Sequence, residues 1–129
     1  PSYIGDAGYR QAVADWMNAC DLMLLTSAWE GSPMVLKEAM ACDLPVVSLD
    51  IGDVRALLAG ALNCAVVGPR DPLALAPVAA RILEEGGRSD GRERVRHLSL
   101  DAVAARVLSV YDSILSPTIT AQAAARSAR

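Results

Sequence analysis

Short apolar runs alternate along this chain with longer stretches whose apolar positions recur at helical spacing. Residues 22–26, Leu-Met-Leu-Leu-Thr, are apolar on both sides and too short for a helix, so they predict a buried parallel strand. Residues 45–49 and 63–67 predict a second and a third. Residues 7–19 predict a helix with Tyr9, Ala12, Val13, Trp16, Met17 and Cys20 on one face, Trp16 being read as core. Ser32 followed by Pro33 reads as an N-cap and first helical position, opening a helix over 34–41 that Asp43 and Pro45 stop. Asp71 and Pro72 repeat that signal for a helix to about residue 85, ended by Gly86-Gly87. Ser99 caps a last helix over 100–115 with Leu100, Val103, Val107, Tyr111 and Ile114 in one stripe. Tyr3-Ile4-Gly5-Asp6 reads as the end of a further short strand.

The order strand, loop, helix, strand predicts an α/β fold, a Rossmann-like three-layer unit of about three parallel strands with right-handed crossovers. Residues 1–115 form that domain in this reading. Residues 116–129, rich in Ala, Ser and Arg, show no defined face and read as a disordered or frayed tail.

This topology directs attention to residues 28–47. Glu30 falls just past the carboxyl end of the first strand, the edge where open α/β sheets bind ligands. Met34 and Val35 place amide N–H groups in the first turn of the next helix, a position that attracts phosphate. Glu38 lies one turn further on. Carboxylates cannot hold phosphate, but they accept hydrogen bonds from hydroxyls. Two carboxylates flanking phosphate-binding amides suit a sugar nucleotide, with Glu30 on the sugar and Glu38 on the ribose.

The segment around these residues resembles the nucleotide-sugar-binding domain of retaining GT-B glycosyltransferases, of the group-1 or family-4 type. The resemblance rests on Ala19-Cys20-Asp21, Glu30-Gly31-Ser32-Pro33, Glu38-Ala39-Met40-Ala41, Leu44-Pro45-Val46-Val47, Gly52-Asp53-Val54-Arg55 and, more weakly, Arg70-Asp71-Pro72. It runs from about Tyr3 to Leu115. Asp43 stands where the family usually has Gly, and Ala56 where many members have Glu.

The resemblance implies a transferase moving a sugar from an NDP-sugar to a glycan or lipid-linked acceptor, as in polysaccharide biosynthesis. Glu30 is the catalytic candidate, and Gly31, Ser32, Pro33, Met34, Val35 and Glu38 are the donor-binding candidates. The donor is a substrate, and no cofactor is implied. The resemblance also implies that the chain matches only the second half of the family's domain. The family's basic donor-phosphate residues and its acceptor domain would then lie outside it, leaving the chain inactive alone. A non-catalytic, self-associating domain and part of a GT-B sugar-nucleotide epimerase are the other readings. An unpaired apolar edge on the first strand would template the self-association.

Composition narrows the classes. The chain has 129 residues, a formal net charge of -3 and 53% hydrophobic residues: one domain with a core, and no nucleic-acid binder. No 18-residue apolar run predicts a membrane span, and the first ten residues do not read as a signal peptide. Cys20, Cys42 and Cys64 lack metal-ligand spacing and read as reduced, mostly buried thiols in a cytoplasmic protein, with no metal. The arginines at 88, 92, 94 and 96 are diluted by nearby acids. They read as a solvated face rather than a patch docking peripherally on the inner membrane face. Trp29 sits beside Glu30 and could either pack on a ligand or cover the strand end. Asp53 reads as an N-cap, with Arg55 in an ordinary turn.

Overall fold

A computed structural model describes residues 7–68 and 70–127; the expected strand end at residues 3–6 lies outside them. The elements are α1 (Ala7–Ala19), β1 (Met23–Leu25), α2 (Met34–Ala41), β2 (Val46–Leu49), α3 (Val54–Leu57), β3 (Cys64–Val67), α4 (Pro72–Glu85), α5 (Gly91–Val95), a 3-10 turn (Arg96–Leu98) and α6 (Leu100–Ser127). The chain divides into two compact units, Pro1–Val95 and Arg96–Arg129.

The first unit holds a parallel sheet in the order β1-β2-β3, with Met23 opposite Val46 and Val46 opposite Cys64. The central strand is buried along its whole length, which is why Val46-Val47-Ser48-Leu49 shows no polar alternation. Val47 packs with Val67 and with Ile82 of α4, fringed by Leu22, Ala65 and Leu75. Val46 and Ser48 point to the opposite face. Leu36, Ala39 and Met40 are the buried residues of α2, which packs on β2.

Two caps follow the sequence. Asp71 accepts the Leu73 N–H at 2.9 Å in front of Pro72, and the Ser99 hydroxyl accepts the Ala102 N–H at 3.3 Å. Helix α6 runs on through the stretch in which the sequence shows no defined face. Its alanines have the highest intrinsic helix propensity and need no buried face to favour that backbone.

Trp16 is not core: it is 73% exposed. Helix α1 buries Met17, with Val13 and Ala14 half-buried beside it, so its inner stripe is rotated away from Trp16 and Cys20. The thiols are also more open than expected, with Cys20 exposed and Cys42 and Cys64 half-buried.

The arginine-rich segment is exposed at Arg88, Arg92 and Arg96, as expected, and it also ties down backbone carbonyls. The Arg88 guanidinium donates to the carbonyls of Cys20 (2.7 Å), Met17 (3.3 Å) and Cys42 (2.8 Å). Arg92 Nε donates to the Ala41 carbonyl at 2.9 Å. Arg94 reaches the carbonyls of Ala59 and Gly60 and pairs with Asp90. These carbonyls lie at the carboxyl ends of α1, α2 and α3, where backbone acceptors lack helical partners and positive charge is favoured. The Arg94 hydrogen bond, and then that of the Leu62 N–H, hold the Asp90 carboxyl below the usual aspartate range.

Asp43, the departure from the family's Gly, sits at φ 53° just after α2. Its carboxylate accepts the Arg92 N–H at 2.8 Å near the start of α5, and its carbonyl accepts the Ser89 N–H at 2.8 Å. Aspartate tolerates the left-handed region, and here the side chain adds a bond that glycine cannot make.

Candidate functional site at the carboxyl edge of the sheet

The loop from β1 to α2 and the turn from β2 to α3 both leave the carboxyl edge of the sheet. The two are locked together. The Asp53 N–H donates to the Gly31 carbonyl at 3.1 Å. Gly52, at φ 52°, packs so closely that a β-carbon there would lie 2.2 Å from the Gly31 oxygen and 2.7 Å from the Glu30 oxygen.

Ser32 is not the N-cap of α2. That position is taken by Pro33, in extended backbone at φ -66° and ψ 120°, and no side chain caps the helix. The Ser32 hydroxyl instead donates to Asp53 Oδ2 at 2.5 Å and accepts from Lys37 Nζ at 2.6 Å. Asp53 occupies the N-cap position of α3, as expected, but its side chain makes no capping bond because Ser32 holds it. The other oxygen, Oδ1, is inaccessible and has no hydrogen-bond partner among the described residues.

Glu30 is half-buried in the β1–α2 loop, and Glu38 is exposed on the second turn of α2. Among the described residues neither carboxylate has a hydrogen bond or ion pair. Met34 and Val35 begin α2 and are 64% and 39% exposed, so the uncapped end of the helix is open to solvent. Gly31 and Ser32 are exposed between them, and Pro33 is buried. All seven candidate residues lie on the loop-and-helix segment that follows the carboxyl end of β1. Trp29 is 85% exposed, so it does not cover the strand end. Arg55 donates to Asp50 Oδ2 through Nε (3.0 Å) and Nη2 (2.6 Å), and that carboxylate raises its pKa further above its already high ordinary value.

The Lys37–Ser32–Asp53 link could not be found from the sequence. Lys37 and Ser32 are five apart, off the helical spacings, and Asp53 is brought in by the next crossover. The one sequence signal for it is that Ser32 precedes a proline able to take the cap position itself.

The sequence profile of glycosyl transferases group 1 matches residues 4–85. The chain belongs to the group-1 glycosyltransferases. It is 35% identical, over 107 residues, to a D-inositol 3-phosphate glycosyltransferase of Xylanimonas cellulosilytica, covering 79% of this chain and 26% of that protein. The lipopolysaccharide core biosynthesis mannosyltransferase LpsB of Rhizobium meliloti is 27% identical, over 84% of this chain and 33% of its own length. Among solved structures, sucrose-phosphate synthase from Thermosynechococcus elongatus superposes with a TM-score of 0.71 at 28% identity, over 83% of this chain and 28% of that one. The three parallel strands and their helices therefore have a GT-B neighbour, and the chain spans about a quarter to a third of the length of these relatives. Among the described residues no helix is long and apolar enough to cross a membrane.

Proposed function

We propose that this chain supplies the sugar-nucleotide-binding part of a retaining glycosyltransferase that acts on a glycan or lipid-linked acceptor. The observation that carries the reading is the pair of uncommitted carboxylates flanking an uncapped helix start at the carboxyl edge of a parallel sheet. In this reading Glu30 accepts hydrogen bonds from the transferred sugar and Glu38 from the ribose. The backbone of Gly31, Ser32 and Pro33 shapes the loop, and the amides of Met34 and Val35 face the diphosphate.

Stabilising the charge on a leaving diphosphate is the large catalytic term in such a transfer. Neither Lys37 nor Arg55 is disposed for it, since Ser32 holds one and Asp50 the other. The chain alone therefore binds donor without turning it over.

A thermal-shift panel of UDP, GDP and ADP with their sugar conjugates tests the reading. A ligand at a hundred times its dissociation constant stabilises by about 2.7 kcal/mol. One nucleotide series should raise Tm in the native chain and lose that effect in Glu38→Ala. An equal shift in both proteins, or sugar transfer by the purified chain, would count against it.

A second reading, a self-associating domain, is favoured by one observation. Strand β1 is at the edge of the sheet among the described residues, and Leu24 on it is 55% exposed. Light scattering should then show dimers that Leu24→Lys converts to monomers. A native monomer at all concentrations rules this reading out.

A further inference from the structure

We propose that Lys37 and Asp53 are positioning residues for the donor site, acting on it through Ser32. The inference rests on the donor-binding reading above and names what holds that site in shape. An ammonium only donates and a carboxylate only accepts, so the hydroxyl between them has one available orientation: Lys37 to Ser32, and Ser32 to Asp53. Both bonds are charge-assisted and short, at 2.6 and 2.5 Å.

The three residues come from three places: the body of α2, the loop before it, and the turn into α3. The link therefore fastens that loop at the residue two positions after Glu30. It acts beside the backbone bond from Asp53 N–H to the Gly31 carbonyl and beside the close contact of Gly52 with both carbonyls.

The link has a second effect. A serine just ahead of a helix ordinarily turns its hydroxyl onto the first-turn amides. Here Lys37 and Asp53 engage both sides of that hydroxyl, Pro33 takes the cap position without a side-chain bond, and the amide end of α2 stays open. Asp53 accepts an inaccessible, unpaired Oδ1 in this arrangement, an unfavourable state for a carboxylate oxygen. Its placement is dictated by the two loops it joins rather than by its own hydrogen bonding.

The test compares the native chain with Ser32→Ala, Lys37→Met, the double variant and Ser32→Thr. The readouts are hydrogen exchange of the Asp53 amide, titration with UDP, GDP and ADP, and Tm. Ser32→Ala should speed exchange of the Asp53 amide, which donates to the Gly31 carbonyl, and weaken nucleotide binding about tenfold, the scale of a hydrogen bond to a charged group. Lys37→Met should do the same, and the double variant should be no worse than either single one, because all three break one link. Ser32→Thr keeps the hydroxyl and should restore both readouts.

Unchanged exchange of the Asp53 amide in Ser32→Ala overturns the proposal, as do additive losses in the double variant or a Ser32→Thr no better than Ser32→Ala. If the native chain binds none of the three nucleotides, the donor reading fails. The exchange data then still decide whether the link holds the loop.

Discussion

Gly52→Ala is expected to weaken nucleotide binding more than any other single change outside the carboxylates, and to destabilise the chain as well. Two effects combine. The residue sits at φ 52°, where a β-carbon is disfavoured by about 1 kcal/mol. The new methyl would also meet backbone, at 2.2 Å from the Gly31 oxygen and 2.7 Å from the Gly31 carbon, and backbone cannot swing aside as a long side chain can. Overpacking of this kind costs about 1–3 kcal/mol. Relief can come only by moving the β1–α2 loop away from the turn into α3. That breaks the Asp53–Gly31 hydrogen bond and shifts Glu30. Urea unfolding should show a loss of about 2–4 kcal/mol, and titration should show no nucleotide bound at concentrations that saturate the native chain. A variant of native stability and affinity would mean that the two loops are not held in contact.

Gly91→Ala should destabilise by about 1–3 kcal/mol through overpacking at a buried helix contact. Gly91 opens α5 and lies against α2; a β-carbon there would be 2.7 Å from both the Cα and the carbonyl oxygen of Met40. The atoms in the way are again backbone, and Met40 is itself fully buried, so α2 and α5 must separate. Helix α2 carries Glu38 two residues earlier, so donor affinity should fall too, but less than in Gly52→Ala, because the β1–α2 loop keeps its own ties. Chemical unfolding and titration together check this ordering. A Gly91→Ala chain as stable as the native one would show that the α2–α5 contact is looser than described.

These two glycines show where the sequence was readable and where it was not. The strands were legible because each is a short apolar run, and all three lie where the pattern put them; only the central one is buried along its whole length, while Leu24 on β1 is exposed and β3 is mostly half-buried. Asp71 and Ser99 were legible as caps because a cap is a local bond within a few residues. The two candidate carboxylates were legible as positions on a loop and a helix through the motif they share with the family. What depended on tertiary contact was not legible. Ser32 reads as a cap until Asp53 and Lys37 draw its hydroxyl away. Trp16 reads as core because helical period alone does not say which side of α1 meets its neighbours. The carbonyl partners of Arg88, Arg92 and Arg94 were not legible, because nothing local announces that helix ends from distant parts of the chain will present carbonyls to them. The close approaches at Gly52 and Gly91 are of the same kind.

The central claim is that a nucleotide binds on the loop and helix start after β1. The most direct measurement is an amide NMR titration of the isotope-labelled chain with UDP, GDP and ADP. The account predicts that one of them moves the resonances of residues 30–38, Met34 and Val35 foremost, and that Glu38→Ala weakens the effect. Resonances that stay fixed in that segment, or that move only elsewhere on the chain, would contradict it.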